Sequence, residues 1–328
     1  MVILTIFTKN NLKYTSFNGL SFIYIVTLIL LIGTFPIHEV EDRDSYFDQY
    51  RELQQASLNM VLKDKLFSAY MKFCTLFMNV QVWFVLTSLI YTLNFYYFSK
   101  KITRNHFILF LGLITNFVFF AYGINTVRAG LASSFLLLAL SKIDNKKLFY
   151  FFLLLSVGFH NSMLLPVSAI LLARRYNATK YYYYFWIFCI PLSFVFGAQL
   201  QLVMASFVED ERFVDYLTKQ ESDYNMGFRI DFILYSLIPI VAGYYYIFKK
   251  NYKDKLYSVI YNSYIIANAF WVLVIRANFS DRFAYLSWYI YMVVLLYPLL
   301  NQQLFKKQSR LIALILIYNI VFTIYILR

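Results

Sequence analysis

Long apolar runs separated by short charged clusters make up most of the chain. A run of about 18 or more apolar residues can cross a bilayer as a helix. Because backbone polar groups cannot stay unpaired in lipid, each run must be helical or enclosed by protein. We therefore predict an all-α polytopic membrane protein, with uncharged stretches at 14–37, 73–99, 105–127, 129–141, 148–173, 181–208, 232–248, 256–275, 283–305 and 311–327.

The stretch 148–173 decides the number of spans, because it is long enough for one tilted helix or two short ones. Two short helices place 18 of the 30 Lys and Arg residues on one side, together with only two of the 17 acidic residues. The positive-inside rule makes that side cytoplasmic. We therefore predict about 11 transmembrane helices, a cytoplasmic N-terminus, a C-terminus outside the membrane, and long outer segments at about 38–72 and 197–231.

Composition narrows the class of protein further. The chain is 61% hydrophobic and 14% charged, which excludes an ordinary soluble domain. Its net charge of +13 resides in the loops between apolar runs, so we expect the lipid bilayer and no nucleic acid as a partner. No repeat or linker divides the chain, and residues 1–328 are predicted to be a single transmembrane domain. Two cysteines, three histidines and the absence of nucleotide-binding motifs predict no metal site and no cofactor.

Arg128 and His160 are ionisable residues at the edges of short apolar stretches. At 1.5 Å per residue, the rise from Lys147 to His160 is roughly 20 Å, about two-thirds of the hydrocarbon core. A charged group at that depth usually faces a wet cavity. We therefore predict an outward-opening polar pocket lined by Arg128 and His160, in which small Gly130 and Ala132 let a ligand approach. The alternatives are a snorkelling arginine, small residues for helix packing, and a helix cap around His160.

The acidic segment after the first span contains Asp44, Tyr46 and Tyr50. A carboxylate here could remove a proton from a sugar hydroxyl, and the tyrosine rings could stack on sugars. The alternative is a solvated helix face. We expect the following segment, 63–77, to form an amphipathic helix on the outer face, and we assign no chemistry to that helix.

A late outer turn contains Arg276 and Arg282, with Asp281 beside the second arginine. Two guanidinium groups could hold a diphosphate. The alternative is a local ion pair of little energetic weight.

These motifs, in this order, resemble the EpsG family of bacterial polysaccharide polymerases, within the broader Wzy-type O-antigen polymerase group. The resemblance is best over 125–175, where NTVRAGLASS and VGFHNS are similar to an Arg-containing helix start and a Phe-His-x-Ser hairpin. The segment DSYFDQY and the late DRF are similar to two further family motifs. Ala129 stands where the family commonly has Gln.

The resemblance implies a GT-C-like membrane glycosyltransferase at the outer face of the bacterial inner membrane. It would join undecaprenyl-diphosphate-linked oligosaccharide repeat units into O-antigen, capsular polysaccharide or exopolysaccharide, without a metal ion, and a chain-length regulator protein could be a partner. The implied roles are diphosphate binding for Arg128, Arg282 and Arg276, proton removal by Asp44 or His160, and sugar binding for Tyr46, Tyr50 and Asn125.

Two other functions remain open on the sequence. A membrane O-acyltransferase that modifies surface polysaccharide has a similar length. Such proteins resemble each other in a His within the first span and an Arg soon before it, whereas here His38 lies at the end of the first span with no arginine before it. A flippase for lipid-linked oligosaccharides would need polar groups reachable from both sides and usually has repeated halves. Here the candidate groups are predicted on the outer half only.

Overall fold

The computed structural model describes residues 19–55, 64–206 and 227–328. These ranges form helices joined by short turns, and they contain no strand. The helices are α1 Gly19–Gly33, α2 Glu41–Gln55, α3 Lys65–Thr75, α4 Val80–Ile102, α5 His106–Ile114, α6 Phe117–Phe120, α7 Val127–Ser141, α8 Lys146–Phe159, α9 Leu164–Arg175, α10 Thr179–Ser206, α11 Ile230–Tyr244, α12 Lys255–Leu273, α13 Ser280–Trp288, α14 Tyr291–Asn301 and α15 Gln308–Ile326.

Several of these helices are long and apolar enough to cross a membrane. Within the described ranges there are five such spans, or six if one bent pair of helices counts as a single span. The all-helical membrane protein is therefore confirmed, whereas the count of 11 spans is not. The GT-C-like architecture and the side on which each terminus lies stay predictions. The five spans are Thr179–Gln201, Ile230–Lys249, Lys255–Leu273, Ser280–Asn301 and Gln308–Ile326.

The chain divides into two compact units. The first unit comprises Met1–Val167 and Leu296–Arg328, and the second comprises Ser168–Leu295. Within the first unit, α7 packs against α8 and α4, and α4 also packs against α1 and α5. Within the second, α12 packs against α10 and α13.

The stretch 148–173 consists of two helices, as the charge distribution predicts. Helix α8 ends at Phe159, His160 has extended backbone angles, and a single 3₁₀ turn leads into α9 at Leu164. The break places His160 at the end of a helix and leaves the Asn161 backbone N–H available to an acceptor outside the helix.

The stretch 105–127, predicted as one span, is bent by 70° between α5 and the helical residues that begin at Phe117. The break falls at Asn116, whose side chain accepts the backbone N–H of Val118 and donates to Asn319 Oδ1 at 2.9 Å. Asn319 in turn donates to the carbonyl of Gly112 and to Thr115 Oγ1. A broken helix frees backbone groups that need new partners in an apolar environment. The two asparagines supply them.

The predicted outer segment 38–72 contains α2 and α3. In α2, the buried positions Arg43, Tyr46, Tyr50 and Leu53 follow helical spacing. Arg43 donates to the carbonyl of Gly33 at 2.8 Å, and its guanidinium lies 3.9 Å from the ring centroid of Phe84. Burial lowers the pKa of Arg43 to about 10, so the side chain stays charged at neutral pH. Arg43 therefore fastens the acidic helix to the end of α1.

Candidate active site

One carboxylate, that of Asp64, contacts both ionisable residues singled out in the short apolar stretches. Its Oδ2 atom lies 2.8 Å from Nη1 of Arg128 and 3.5 Å from Nδ1 of His160. Its Oδ1 atom accepts the backbone N–H of Asn161 at 3.1 Å. Asp64 therefore joins the starts of α3 and α7 to the end of α8. We call Asp64, Arg128 and His160 the carboxylate cluster.

Aromatic packing holds Asp64 in this position. Phe67 lies one helical turn after Asp64 and is fully buried. Its ring packs against those of Tyr46, Trp83 and Phe159, with centroids 5.7, 6.0 and 6.3 Å away. Buried aromatic rings contribute much of the packing energy of a core. Since Phe159 directly precedes His160, the same ring cluster fixes both sides of the contact.

A glycine allows α3 to lie close to α8. A Cβ atom on Gly158 would lie 2.3 Å from Cδ1 of Leu66, so a larger residue would require the Leu66 side chain to move. Small residues permit such close helix contacts. Gly158 thus lets the Leu66 side chain lie against α8, two residues before His160.

The carboxylate cluster is shielded from solvent. Asp64 is 6% exposed, and the side chains of Arg128 and His160 are 16% and 20% exposed. Burial raises the pKa of Asp64, but the hydrogen bond from His160, the charges of Arg128 and His160, and the Asn161 N–H together outweigh it. The pKa of Asp64 therefore lies below its usual range, and the group is a carboxylate at neutral pH.

Helix α7 presents Arg128 in its first turn, directly after a π-helical turn at Ala121–Asn125. A Cβ atom on Gly130 would lie 2.4 Å from the carbonyl oxygen of Tyr122. Ala132 is fully buried, and its carbonyl accepts Ser156 Oγ at 2.8 Å. Gly130 therefore lets neighbouring protein pack closely, as the helix-packing alternative expects, and the approach of a ligand beside these two residues stays a prediction.

Two polar atoms near the start of α7 lack hydrogen-bond partners among the described residues. They are Nε of Arg128, a donor, and Oδ1 of Asn125, an acceptor, and both are buried. Buried polar atoms in folded proteins are nearly always paired. A donor and an acceptor without partners, three residues apart, are what a polar ligand or bound solvent would satisfy.

Tyr46 lies beside the carboxylate cluster. Its ring is buried against Phe67, and the guanidinium carbon of Arg128 lies 6.0 Å from the ring centroid. That distance is at the outer limit of a cation–π contact. Of the predicted sugar-binding residues, Tyr46 and Asn125 thus belong to the surroundings of Arg128.

Asp44 and Tyr50 lie elsewhere on α2. Asp44 Oδ1 pairs with His38 Nδ1 at 2.7 Å, and their side chains are 47% and 72% exposed. Tyr50 is buried and donates its hydroxyl to the carbonyl of Met78 at 2.7 Å, and burial raises its pKa to about 12. The predicted catalytic role of Asp44 and the sugar-binding role of Tyr50 stay predictions.

The late arginines belong to the second unit. Arg276 donates to the carbonyl of Phe194 at 3.3 Å and lies 5.8 Å from the ring centroid of Phe228. Arg282 lies in the first turn of α13, with its guanidinium 4.7 Å from the ring centroid of Phe279. Phe279 itself has a left-handed backbone conformation. That Arg128, Arg276 and Arg282 bind one diphosphate stays a prediction.

Comparison with known proteins identifies the family of the chain. The sequence model of the EpsG family matches residues 19–328, nearly the whole chain. The chain belongs to the EpsG family. EpsG proteins form a family of Wzy-like polysaccharide polymerases, so the resemblance drawn from the motifs is confirmed. No curated protein and no solved structure matches the chain.

Sequence reasoning about this EpsG-family chain missed Asp64. The residue lies between two lysines at the start of a predicted amphipathic helix, a pattern typical of a solvated face. The only local signal is that Asp64 stands just ahead of a predicted helix, where Asp is common as the residue that caps the helix start. Yet its side chain makes no capping bond to α3 and is used for contacts with α7 and α8.

The carboxylate cluster of this EpsG-family chain is suited to two chemical roles. Arg128 is a cation held by Asp64 with 16% of its side chain exposed, and it is suited to binding an anionic leaving group. His160 with its Nδ1–H directed at Asp64 would have its lone pair on Nε2, which suits an acceptor of protons.

Proposed function

We propose that this protein polymerises a surface polysaccharide by transferring a growing glycan between lipid diphosphate carriers. The single observation that carries this proposal is that Arg128 and His160 share one buried carboxylate in a chain of the EpsG family. That contact brings a cation for a diphosphate and a base for a hydroxyl into one region of the first unit. Family membership supplies the class of substrate.

In the proposed reaction, a hydroxyl oxygen of the acceptor repeat unit attacks the anomeric carbon of the donor glycan. The bond from that carbon to the diphosphate oxygen breaks, and the diphosphate lipid leaves with the electron pair. The hydroxyl proton passes to Nε2 of His160. Negative charge develops on the departing oxygen, where Arg128 stabilises it. Such positioned cations commonly account for factors of 10²–10³ in turnover, by analogy with oxyanion donors.

The remaining residues have supporting roles in the proposal. Arg282 and Arg276 are further candidates for binding diphosphate, and Tyr46 and Asn125 are candidates for contacting sugar. His160 is preferred to Asp44 as the base, because His160 shares a carboxylate with Arg128 whereas Asp44 forms an exposed pair with His38. Diphosphate is a good leaving group, and arginines alone neutralise it in this scheme.

The proposed substrates are undecaprenyl-diphosphate-linked oligosaccharides at the outer face of a bacterial inner membrane. The apolar spans hold the protein in that bilayer, with the N-terminus cytoplasmic and the C-terminus on the outer side. The product is O-antigen, capsular polysaccharide or exopolysaccharide, and a chain-length regulator protein is a candidate partner.

The length distribution of surface polysaccharide in a deletion strain tests the proposal. Plasmid-borne Arg128→Ala, Arg282→Ala and His160→Gln variants should reach the membrane but produce no long chains, while single repeat units still appear on the surface lipid. Arg51→Ala is a matched control, because Arg51 is an exposed arginine of α2 that only covers Phe47. It should give normal chains.

Three outcomes of that experiment would change the proposal. Normal ladders from Arg128→Ala and Arg282→Ala would exclude a diphosphate clamp. Loss of even the single-unit product would favour transport of the lipid-linked unit. If Asp44→Asn abolishes long chains and His160→Gln does not, the proton goes to Asp44.

A further inference from the structure

The pair formed by Asp64 and Arg128 leaves a question that the proposed function does not answer. Arg128 is the cation proposed to bind a diphosphate, yet its Nη1 already contacts a carboxylate at 2.8 Å. Two anions cannot share one guanidinium edge without repulsion. A diphosphate that approaches Arg128 through Nη1 must therefore compete with Asp64, and one that approaches through Nε, unpaired among the described residues, brings a second anion close to the carboxylate.

The geometry shows where the Asp64 carboxylate can go. The same Oδ2 atom that contacts Arg128 also lies 3.5 Å from Nδ1 of His160, which is long for a hydrogen bond. Its second oxygen is held by the Asn161 N–H at 3.1 Å. With Oδ1 held, a carboxylate released by Arg128 still has Nδ1 of His160 as a partner within reach of Oδ2.

Resting on the proposed function, we propose that Asp64 is a positioning residue that exchanges partners when substrate binds. While no diphosphate is present, Asp64 neutralises Arg128. When a diphosphate takes Arg128, the carboxylate closes on His160 Nδ1 and orients the imidazole, with the lone pair on Nε2 toward the acceptor hydroxyl. Binding of the anion thereby prepares the base, in the manner of an Asp–His pair that fixes the tautomer.

Burial makes this exchange energetically significant. The carboxylate is almost inaccessible, and Arg128 Nε has no partner among the described residues. Hydrogen bonds to charged groups are stronger than those between neutral groups. Removal of the internal carboxylate should therefore strengthen binding of an external diphosphate by a factor on the order of ten.

Titration of the purified full-length protein in lipid nanodiscs tests the exchange. The probes are inorganic diphosphate and farnesyl diphosphate, which separate binding of the anion alone from binding of a lipid diphosphate. Asp64→Asn should bind both probes about tenfold more tightly than the wild type. Asp48→Asn is the matched control, because it removes the same charge from an exposed position on α2, and it should change the affinity by less than about twofold.

Turnover supplies a readout that a purely structural role would not change in this way. With lipid-linked repeat units extracted from the deletion strain, Asp64→Asn should lower KM and also lower kcat, since the diphosphate binds better while His160 loses its partner. If Asp64→Asn cannot be recovered folded, Asp64→Ser is used, because its hydroxyl can still accept the Asn161 N–H.

The outcomes separate this inference from the function beneath it. If Arg128→Ala weakens diphosphate binding but Asp64→Asn or Asp64→Ser leaves it unchanged or weaker, the exchange is wrong and the diphosphate site stands. If Arg128→Ala binds both probes as well as the wild type does, the proposed function fails as well. Tighter binding with unchanged kcat would contradict the role toward His160.

Discussion

Two clusters of buried polar side chains in this chain differ in how many of their polar atoms have hydrogen-bond partners. In the second unit, Asn268 accepts Trp186 Nε1 at 2.7 Å and donates to the hydroxyls of Ser236 and Ser287 at 3.0 and 2.9 Å. Trp288 Nε1 also donates to Ser236, at 2.8 Å. We call these five residues the asparagine network.

The carboxylate cluster of the first unit is paired only in part. Its carboxylate is fully occupied, but Nε of Arg128 and the nearby Asn125 Oδ1 have no partner in the part of the chain that is described. All five residues of the asparagine network are at most 2% exposed. Each of their buried side-chain polar atoms has a hydrogen-bond partner. A complete network stabilises one packing arrangement, whereas an incomplete one keeps binding capacity for something else.

The largest expected effect on stability comes from breaking the asparagine network. Asn268→Ala should lower the free energy of unfolding by about 2–4 kcal/mol, because it leaves the buried Trp186 N–H without a partner and removes the hydrogen bonds to Ser236 and Ser287. Thermal unfolding in detergent measures this loss. Polymerisation per folded molecule should stay near the wild-type value, in contrast to Arg128→Ala.

Asn301→Ala serves as the control, since Asn301 is exposed and donates only to the carbonyl of Tyr297. It should change stability by less than about 0.5 kcal/mol. A stable Asn268→Ala protein that no longer polymerises would contradict the assignment of the network to structure alone.

A smaller effect is expected where α7 meets the turn before it. Gly130→Ala should cost about 1–3 kcal/mol, because the new Cβ would collide with the carbonyl of Tyr122 and shift the helix that carries Arg128. Polymer length should fall with stability. Gly197→Ala is the comparison, since its Cβ would meet only the side chain of Arg276 at 3.0 Å. Equal losses from both substitutions would argue against a rigid contact at Gly130.

The smallest effects concern the two acid–histidine contacts. Asp64→Asn should cost about 1–2 kcal/mol at pH 7, a buried-pair value reduced because Arg128 and His160 reach solvent. Asp44→Asn should cost less than about 0.5 kcal/mol, because its pair with His38 is exposed. Thermal unfolding over a pH series compares the two variants with the wild type.

The pH dependence follows from the lowered pKa of Asp64. Its partners Arg128, His160 and the Asn161 N–H stabilise the carboxylate, so their contribution is present above the ordinary aspartate pKa and is lost as pH falls through the folded value. The difference between the wild type and Asp64→Asn should be present at about pH 5 and above and shrink below about pH 4. A difference that disappears already near pH 6 would mean that the carboxylate is not the stabilising group.

The sequence predicts those parts of the site whose residues look unusual in their local surroundings. Arg128 and His160 are ionisable groups beside apolar stretches, and such groups are costly unless they have partners. The break at His160 follows from the length of its stretch and from the charges on either side of it. These predictions need only nearby residues and the physics of the bilayer.

Asp64 and the bend at Asn116 could not be predicted in this way, because their meaning depends on distant residues. Asp64 is an ordinary helix-start acid until folding brings it to Arg128, 64 positions later. Asn116 lies in an apolar stretch, and its partner Asn319 follows about 200 residues further on. The number of spans is hard to predict for the same reason. It depends on the lengths of the helices, and these depend on packing between distant residues that a hydropathy pattern does not describe.

The pair formed by Asn116 and Asn319 has a consequence for the biosynthesis of the protein. Asn319 in α15 closes the break from which the chain runs through α6 into the arginine-bearing α7. During translation, the arginine and the histidine emerge from the ribosome long before the residue that completes their support. The growing chain therefore holds Arg128 and His160 without the Asn116–Asn319 contact until residue 319 has been made, so we expect no activity before that point in synthesis.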